Sequence, residues 1–158
     1  MSKTIEPALA ADFFQIAALD RISWVQTGLP FIADGEHIWR VWCEYATVLV
    51  ARHPGPDVLS ESGDIAGAVV MFPTLTDEMF LHKIMVPPDV RGAGVGSELM
   101  RAALQLASAP VLLTVDPDNE AAIKLYRNFG FDVRKRIDGY YRESEDRLIM
   151  VYPGGATA

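Results

Sequence analysis

A glycine-rich turn between a strand-like run and a helix-like run is the feature that most constrains this chain. The segment Arg91-Gly92-Ala93-Gly94-Val95-Gly96 directly follows the strand-like run and begins the helix-like run. Glycine lets a backbone approach another group closely and adopt positive φ. A helix start leaves unpaired N–H donors at the positive end of the helix dipole. The turn therefore predicts an anion site suited to a pyrophosphate.

Two common phosphate-binding motifs do not fit these residues. A P-loop ends in Gly-Lys-Ser/Thr, whereas Gly96 is followed by Ser97 and Glu98. A dinucleotide fingerprint needs a third glycine where Ser97 stands, and this turn lies late in the chain and follows no βαβ pattern. The remaining alternative is a turn that merely joins a strand to a helix.

Strand-like and helix-like runs alternate along the chain and predict an α/β (α+β) protein with helices packed on a mixed sheet. The length of 158 residues suits one domain, which we place at 1–152, with a disordered tail at 153–158. Helices are predicted at residues 12–21, 36–45, 94–108 and 118–128. Strands are predicted at residues 2–7, 46–52, 65–72, 78–86, 111–115, 131–137 and 148–152.

The net charge of −7 lies entirely in residues 1–80, which hold four basic and eleven acidic residues. An acidic surface disfavours nucleic acid and attracts a cationic acceptor, or it serves solubility alone. Cys43 is the single cysteine, which excludes a disulfide framework and a cysteine-rich zinc site within one chain. We see no membrane-spanning run and no signal peptide from Met1 to Asp12, and therefore expect a cytoplasmic protein.

Two blocks of the chain resemble GNAT acetyltransferases. Residues 84–96 resemble the family's acetyl-CoA motif, Arg/Gln-x-x-Gly-x-Gly/Ala after a strand and before a helix. Residues 113–126 resemble the next motif, Asn-x-x-Ala-x-x-Leu-Tyr, and are followed by the family's Gly-Phe pair at Gly130-Phe131. The resemblance covers about residues 78–152. It implies the GNAT fold: a mostly antiparallel sheet of six or seven strands, about four helices, and two splayed central strands.

The resemblance also implies roles for individual residues. Acetyl-CoA would enter the gap between the strands of Met85 and Thr114, and no metal is implied. Tyr126 would be the general acid beside the CoA sulfur. The backbone of Ile84 and Val86 would contact the pantetheine arm, and the Asn119 side chain would bind it. The backbone amides of the turn would hold the pyrophosphate, with help from Arg91. The cofactor-binding residues so implied are Ile84, Met85, Val86, Arg91, Gly92, Ala93, Gly94, Val95, Gly96, Ser97 and Asn119.

On the acceptor side, residues 139–150 resemble the ribosomal-protein-alanine N-acetyltransferase branch of the family. Tyr140 and Tyr141 would line the acceptor groove, or are ordinary aromatic residues of a hairpin. One departure is clear: Thr114 stands where that branch commonly has a glutamate general base. Glu78 and His82 share one face of the preceding strand and are the candidate bases, with Asp116 as a further possibility.

The predicted reaction is direct acetyl transfer to a primary amine, either a peptide N-terminus or a small molecule. An α-amine is about a tenth neutral at pH 7, whereas a lysine is neutral only about once in 2,500 molecules, so a weak base favours the α-amine. The alternatives are another acyl-CoA, a lysine acceptor, or a non-catalytic CoA-binding regulatory domain. We expect a monomer or a homodimer.

Overall fold

The computed structural model describes residues 3–23, 32–53 and 64–154. In this part of the chain seven strands and four helices follow one another in the predicted order, so the prediction of the elements is confirmed. The helices are α1 (Phe13–Ser23), α2 (Glu36–Tyr45), α3 (Val95–Leu106) and α4 (Glu120–Phe129). The strands are β1 (Thr4–Pro7), β2 (Thr47–Arg52), β3 (Ile65–Pro73), β4 (Met79–Met85), β5 (Val111–Val115), β6 (Asp132–Ile137) and β7 (Arg147–Tyr152).

The seven strands form one sheet in the order β1-β2-β3-β4-β5-β7-β6. The pairs β1/β2, β2/β3, β5/β7 and β6/β7 are antiparallel, and β4/β5 is parallel. The mixed, mostly antiparallel sheet with four helices is therefore confirmed. The parallel register joins Met79 to Val111 and Phe80 to Leu112, at the beginning of both strands.

Contacts group the chain into two compact units, one of residues 1–71 and 83–103 and one of residues 72–82 and 104–158. In the first unit, α1 and α2 pack on β2 and β3 around apolar side chains of very low exposure. Among them Ile16, Leu19 and Trp39 have no exposed surface, and Val50 and Ile65 are likewise fully buried. Burial of these side chains is the main stabilising term of this unit.

A buried ion-pair cluster crosses this apolar core of the first unit. Asp20 on α1 is fully buried, and its carboxylate lies 3.0 Å from the Lys83 Nζ on β4. The Trp39 indole and the Asp34 N–H also donate to Asp20, at 3.1 and 2.8 Å, and Lys83 lies 2.7 Å from the Asp34 carboxylate. A buried carboxylate is tolerated only when its lone pairs are satisfied, so the cluster fixes α1, α2 and β4 in one arrangement.

In the second unit, side chains alternate along β5. Val111, Leu113 and Val115 are buried, whereas Leu112 and Thr114 are partly exposed. Phe131 is also buried, and its ring lies between those of Tyr126 and Tyr152, at centroid distances of 5.9 and 5.7 Å. The period of two assigns Thr114 to the face of β5 opposite the core.

Some predictions concern features outside these elements. Of the predicted tail, residues 155–158 lie outside the described residues. No helix in the described ranges is long and apolar enough to cross a membrane. Those ranges also hold no cluster of three or more histidine, cysteine or acidic side chains suited to a metal ion. The single domain, the compartment and the oligomeric state stay predictions.

Candidate active site

The glycine turn has the backbone conformation that its sequence predicts. Gly92 and Gly94 have φ angles of 84° and 81°, which favour glycine because a Cβ would be strained there. Apart from its chain neighbours, a Cβ added at either position would meet no atom of the described residues within 4 Å, so the turn is open toward them. The turn can therefore accept a group that approaches its backbone closely.

The helix that follows the turn begins without a capping side chain. Helix α3 starts at Val95, and its first described intrahelical bond runs from the Glu98 N–H to the Gly94 carbonyl at 3.0 Å. Gly94 stands at the position where a Ser or Asp side chain would otherwise cap the helix. The N–H groups of Val95, Gly96 and Ser97 are therefore the donors that a helix start offers to an anion.

The strand before the turn packs closely on the start of α3. A Cβ added at Gly96 would lie 3.6 Å from the Val86 Cγ2 and 3.9 Å from the Ile84 Cγ2. Met85, between them, is buried in the core of the first unit. The side chains of Ile84 and Val86 thus lie against the first turn of α3, and the role of their backbone in cofactor binding stays a prediction.

The Arg91 guanidinium binds main-chain carbonyl groups within the first unit. Its Nε donates to the Val86 carbonyl at 3.2 Å, and its Nη2 donates to the Ser23 carbonyl at the end of α1. These bonds hold the turn to α1 and to the end of β4. Direct help from this side chain in phosphate binding stays a prediction.

Asn119 caps the helix that carries Tyr126. Its side-chain oxygen accepts a hydrogen bond from the Ala122 N–H at 3.1 Å, and α4 begins at the next residue. The amide nitrogen of the same side chain keeps two N–H donors for another group. Asn119 can therefore cap α4 and donate to a ligand at the same time.

Tyr126 lies in the middle of α4, with its ring against Phe131. Burial raises the pKa of the Tyr126 phenol, because an apolar setting disfavours the phenolate. The phenol is therefore protonated at neutral pH. A retained proton is what a general acid needs before it meets a leaving group.

Glu78 is held in an ion pair at the start of β4. The Arg134 guanidinium donates to both of its oxygens, at 2.7 and 3.3 Å, and the Thr76 hydroxyl donates to one of them at 3.0 Å. The hydrogen bond from Arg134 is the main cause that lowers the pKa of the Glu78 carboxyl. A carboxylate with a lowered pKa is a weaker base, so the structure gives Glu78 an anchoring role.

His82 belongs to an aromatic group on β3 and β4. Its ring centroid lies 6.4 Å from those of Phe72 and Phe80, which are 5.6 Å from each other. His82 and Phe80 are two residues apart on β4, and a strand presents such residues on one face. The structure does not bring Glu78 and His82 together through a described contact.

Cys43 is poorly suited to covalent catalysis. Burial, with Asp12 nearby, raises the pKa of the Cys43 thiol to about 11. The thiolate is the nucleophilic form of cysteine, and at neutral pH almost none is present. This agrees with a direct transfer that needs no acyl-cysteine.

The acceptor-side tyrosines form a small cluster within the second unit. The Tyr140 and Tyr141 rings meet edge to face with centroids 4.7 Å apart. The Tyr141 hydroxyl lies 3.0 Å from the Thr114 Oγ1, and the Arg147 guanidinium lies 5.2 Å from the Tyr141 ring centroid. The sequence does not reveal the contacts that Thr114, Arg134 and Arg147 make, because each contacts a residue far away along the chain.

Asp116, the third candidate base, organises the turn between β5 and α4. One carboxylate oxygen accepts the Asp118 N–H at 2.8 Å, and the other lies 3.9 Å from the Arg147 Nη1. Its main-chain carbonyl accepts the Asn119 N–H at 3.0 Å. Asp116 thus sets the start of α4.

Comparison with known proteins agrees with these two blocks. The sequence model of the acetyltransferase (GNAT) family matches residues 16–131, most of the chain. The chain belongs to the GNAT acetyltransferase family. The fold agrees, since a crystal structure of the ribosomal-protein-S18-alanine N-acetyltransferase from Escherichia coli superposes with a TM-score of 0.79. That likeness covers 99% of this chain and 96% of that one at 22% identity, and shows the fold alone.

Two relatives within the family have names that refer to different acceptor amines, an α-amine and a lysine side chain. The N-alpha-acetyltransferase RimI of Mycobacterium tuberculosis is 42% identical over 71 residues, which are 42% of this chain and 43% of the relative. The peptidyl-lysine N-acetyltransferase YjaB of Escherichia coli is 31% identical over 125 residues, which are 66% of this chain and 80% of the relative. The chain spans less than two thirds of the length of the first relatives it matches, from 21% to 64%.

Proposed function

We propose that this chain is an acetyl-CoA-dependent N-acetyltransferase that transfers an acetyl group directly to a primary amine. The acceptor in this proposal is a peptide N-terminus or a small-molecule amine. The observation that carries it is the open turn of Gly92 and Gly94, which leads into a helix start without a capping side chain. Membership of the GNAT family supports the acetyl donor.

The residues of the two motif blocks fit acetyl-CoA in their chemistry. Acetyl-CoA would supply a thioester carbonyl already activated for attack. The N–H groups of Val95, Gly96 and Ser97 would hold the pyrophosphate, and the Asn119 amide would donate to the pantetheine arm. Backbone N–H groups near Ile84 and Val86 would polarise the thioester carbonyl where negative charge develops.

Tyr126 is the general acid of the proposed reaction. Its raised pKa keeps a proton on the phenol, and a thiolate with a pKa of about 8.5 is basic enough to take that proton in the transition state. Position 126 is seven residues after Asn119, which is two turns along the same helical face. One helix would therefore offer both a pantetheine donor and the acid.

The proton of the amine has two proposed destinations, His82 or water. Glu78 is the weaker candidate, because Arg134 lowers its pKa and occupies both of its oxygens. Asp116 is committed to the turn before α4 and to Arg147. A weak base suits an amine that is partly neutral at working pH, such as an α-amine.

The acidic N-terminal half gives little support for a cationic acceptor, because many of its carboxylates are paired. Asp12, Glu6 and Asp64 bind Arg52, and Asp20 and Asp34 bind Lys83. Each of the two cations cancels one of these charges, and salt screens what remains beyond about 8 Å. The acceptor class therefore rests on the amine chemistry, and the name of the mycobacterial relative supports an α-amine.

Thiol release from acetyl-CoA, measured with pooled peptides and small amines, tests the proposal. We expect acetyl-CoA to raise the melting temperature and at least one pool to release CoA. Tyr126→Phe should lower kcat by about 10²- to 10⁴-fold, as expected for loss of a general acid, with acetyl-CoA affinity unchanged. Mass spectrometry of the pools identifies the acetylated amine.

Tyr152→Phe is the matched control, because the Tyr152 ring also contacts Phe131 and the change removes only a hydroxyl. Its kcat should stay at the wild-type value. If acetyl-CoA neither binds nor stabilises the protein, the proposed function is wrong. If acetyl-CoA binds and Tyr126→Phe turns over as fast as wild type, only the acid assignment is lost.

A further inference from the structure

Helix α4 ends in a left-handed glycine that ties the chain back onto the helix. Gly130 has a φ of 105°, and its N–H donates to the Arg127 carbonyl at 3.0 Å. The next N–H, that of Phe131, donates to the Tyr126 carbonyl at 3.0 Å. Two bonds in this arrangement define the Schellman motif, a common way to end a helix. Gly130 and Phe131 therefore form the C-terminal cap of the helix that carries Tyr126.

The same cap brings two side chains together. In a Schellman motif the residue after the glycine often makes an apolar contact with the residue whose carbonyl it binds. Here these residues are Phe131 and Tyr126, and their ring centroids lie 5.9 Å apart with the ring planes tilted by 59°. This distance is within the range that aromatic pairs prefer. Phe131 thus contacts Tyr126 both through its main chain and through its ring.

Phe131 is itself held from its other side. It is 1% exposed, and the Tyr152 ring on β7 lies 5.7 Å from it. A Cβ added at Gly130 would lie 3.3 Å from two carbon atoms of the Tyr152 ring, so β7 covers the cap closely. Tyr126, in contrast, is partly exposed. A fixed support beneath a partly exposed phenol suits a group that must meet a ligand in one geometry.

The helix alone does not fix the direction of the Tyr126 ring. In helices the χ1 angle of an aromatic residue lies near 180° or near −60°, and the two values place the hydroxyl at different points. A ring contact from outside the helix can select one of them. Gly130 and Phe131 follow Tyr126 by only four and five residues, so the chain supplies this contact locally.

We infer that Phe131 is a positioning residue for the general acid, because it holds the Tyr126 ring in the direction in which the hydroxyl meets the leaving sulfur. The inference rests on the proposed function. There the neutral amine nitrogen bonds to the acetyl carbon, the carbon–sulfur bond breaks, and the sulfur receives the Tyr126 proton. The surplus proton on nitrogen passes to water, and water returns one proton to the phenolate. Phe131 contributes geometry alone, since proton transfer needs a donor within about 2.6–3.2 Å of its acceptor.

A double-mutant cycle of Phe131→Leu and Tyr126→Phe tests this role. Turnover is measured at saturating acetyl-CoA with the pooled peptides and small amines, and acetyl-CoA affinity is measured by calorimetric titration. Phe131→Leu should lower kcat by about 10- to 100-fold, since a displacement of about 1 Å can cost a factor of about 100. Acetyl-CoA affinity should stay unchanged, because Asn119 keeps its bond to Ala122 at the other end of α4.

The cycle supplies a readout that a merely structural role would not move. If Phe131 acts through the phenol, Phe131→Leu should change kcat by less than about twofold once Tyr126→Phe is present. A general loss of stability would lower kcat by the same factor with and without the hydroxyl. Should Phe131→Leu fail to fold, Phe131→Met gives the same comparison, because methionine fills an irregular site without a ring.

Val111→Ala is the matched control for loss of packing in the second unit. Val111 has no exposed surface and lies at the beginning of β5, where that strand pairs with Met79 of β4. The substitution removes buried apolar volume, as Phe131→Leu does, and leaves the cap of α4 in place. Its kcat should therefore stay near the wild-type value.

Fluorine NMR of protein that contains 3-fluorotyrosine gives a second readout, which needs no acceptor. The chain has five tyrosines, and the line that disappears in Tyr126→Phe belongs to Tyr126. In the wild type this line should lie apart from its position in the unfolded chain. Phe131→Leu should move it toward that position, whereas Val111→Ala should not. A line that Phe131→Leu leaves in place would show that Phe131 does not hold the ring, and would overturn the inference.

The outcomes separate this inference from the proposed function. If the wild type releases CoA and Phe131→Leu lowers kcat by one factor in both backgrounds, the positioning role is wrong while acetyl transfer stands. The same holds if Phe131→Leu turns over as fast as the wild type. If the wild type acetylates no amine in any pool, the proposed function fails, and the inference fails with it because there is no acid to position.

Discussion

Replacing Gly67 with alanine should shift the helix that follows the glycine turn. Gly67 lies on β3, and a Cβ there would be 2.9 Å from the Leu99 Cδ1, 2.9 Å from the Val95 Cγ1 and 3.1 Å from the Met85 carbonyl oxygen. Carbon atoms pack best at about 3.5–4.0 Å, so α3 or its side chains must move by roughly 0.6 Å or more. Overpacking of this kind costs about 1–3 kcal/mol.

The net effect on stability follows from two opposing terms. Removing a strand glycine returns about 0.5–1 kcal/mol, because alanine has less conformational freedom to lose. We therefore expect Gly67→Ala to lower the free energy of unfolding by about 1–2 kcal/mol. Since Val95 is the first residue of α3, the same shift should disturb the turn and weaken acetyl-CoA binding.

Urea unfolding with a common m value measures the stability, and calorimetric titration measures acetyl-CoA affinity. Gly96→Ala is the control for stability, because its Cβ would make contacts of 3.6 and 3.9 Å, which are ordinary distances. That variant should be as stable as wild type within about 0.5 kcal/mol, or more stable, since alanine favours a helix. A Gly67→Ala protein at least as stable as wild type would refute the packing argument.

Two further predictions concern side chains whose pKa is shifted. The pKa of Cys43 is raised to about 11, so Cys43 should react with iodoacetamide at pH 8 at least a hundredfold more slowly than a free thiol. In urea the thiol should recover full reactivity. Rapid labelling of the native protein would contradict this prediction. Glu78 has a lowered pKa, so its stabilising effect is present above its ordinary value of 4.5 and is lost as the pH falls below it. Glu78→Gln should therefore cost less than about 1 kcal/mol at pH 7, with the difference from wild type closing in acid unfolding curves. Its kcat should stay near wild type, and a hundredfold loss would restore Glu78 as the base.

The fold was predictable because its elements carry local signals. The run from Glu36 to Tyr45 has a helical period, and the run from Val111 to Val115 has the length and composition of a buried strand, so both boundaries agree with the structure. The backbone of the turn was predictable for the same reason, since Gly92 and Gly94 signal positive φ by their identity alone.

The side-chain partners were not predictable, because they join residues far apart in sequence. The Thr114–Tyr141 pair spans 27 residues, and the Lys83–Asp20 pair spans 63. A sequence periodicity or a motif predicts which face of a helix or strand a residue occupies. It does not predict which distant side chain contacts that residue. For Glu78 the sequence indicated a possible base, and it could not show that Arg134, 56 residues later, donates to both of its oxygens.

The buried cluster of Asp20, Lys83 and Asp34 has a consequence for how this chain can change. Ser23 is fixed by bonds to the Leu19 carbonyl and from Arg91, and Asp34 is fixed by Asp20 and Lys83. When both ends of a connection are anchored, each doubling of its length costs only about 0.6 kcal/mol of closure entropy. An insertion between Ser23 and Asp34 should therefore leave the ion pairs of Asp20, Lys83 and Asp34 and the bond from Arg91 to Ser23 unchanged, so that evolution can vary the length of the chain there at little cost in stability.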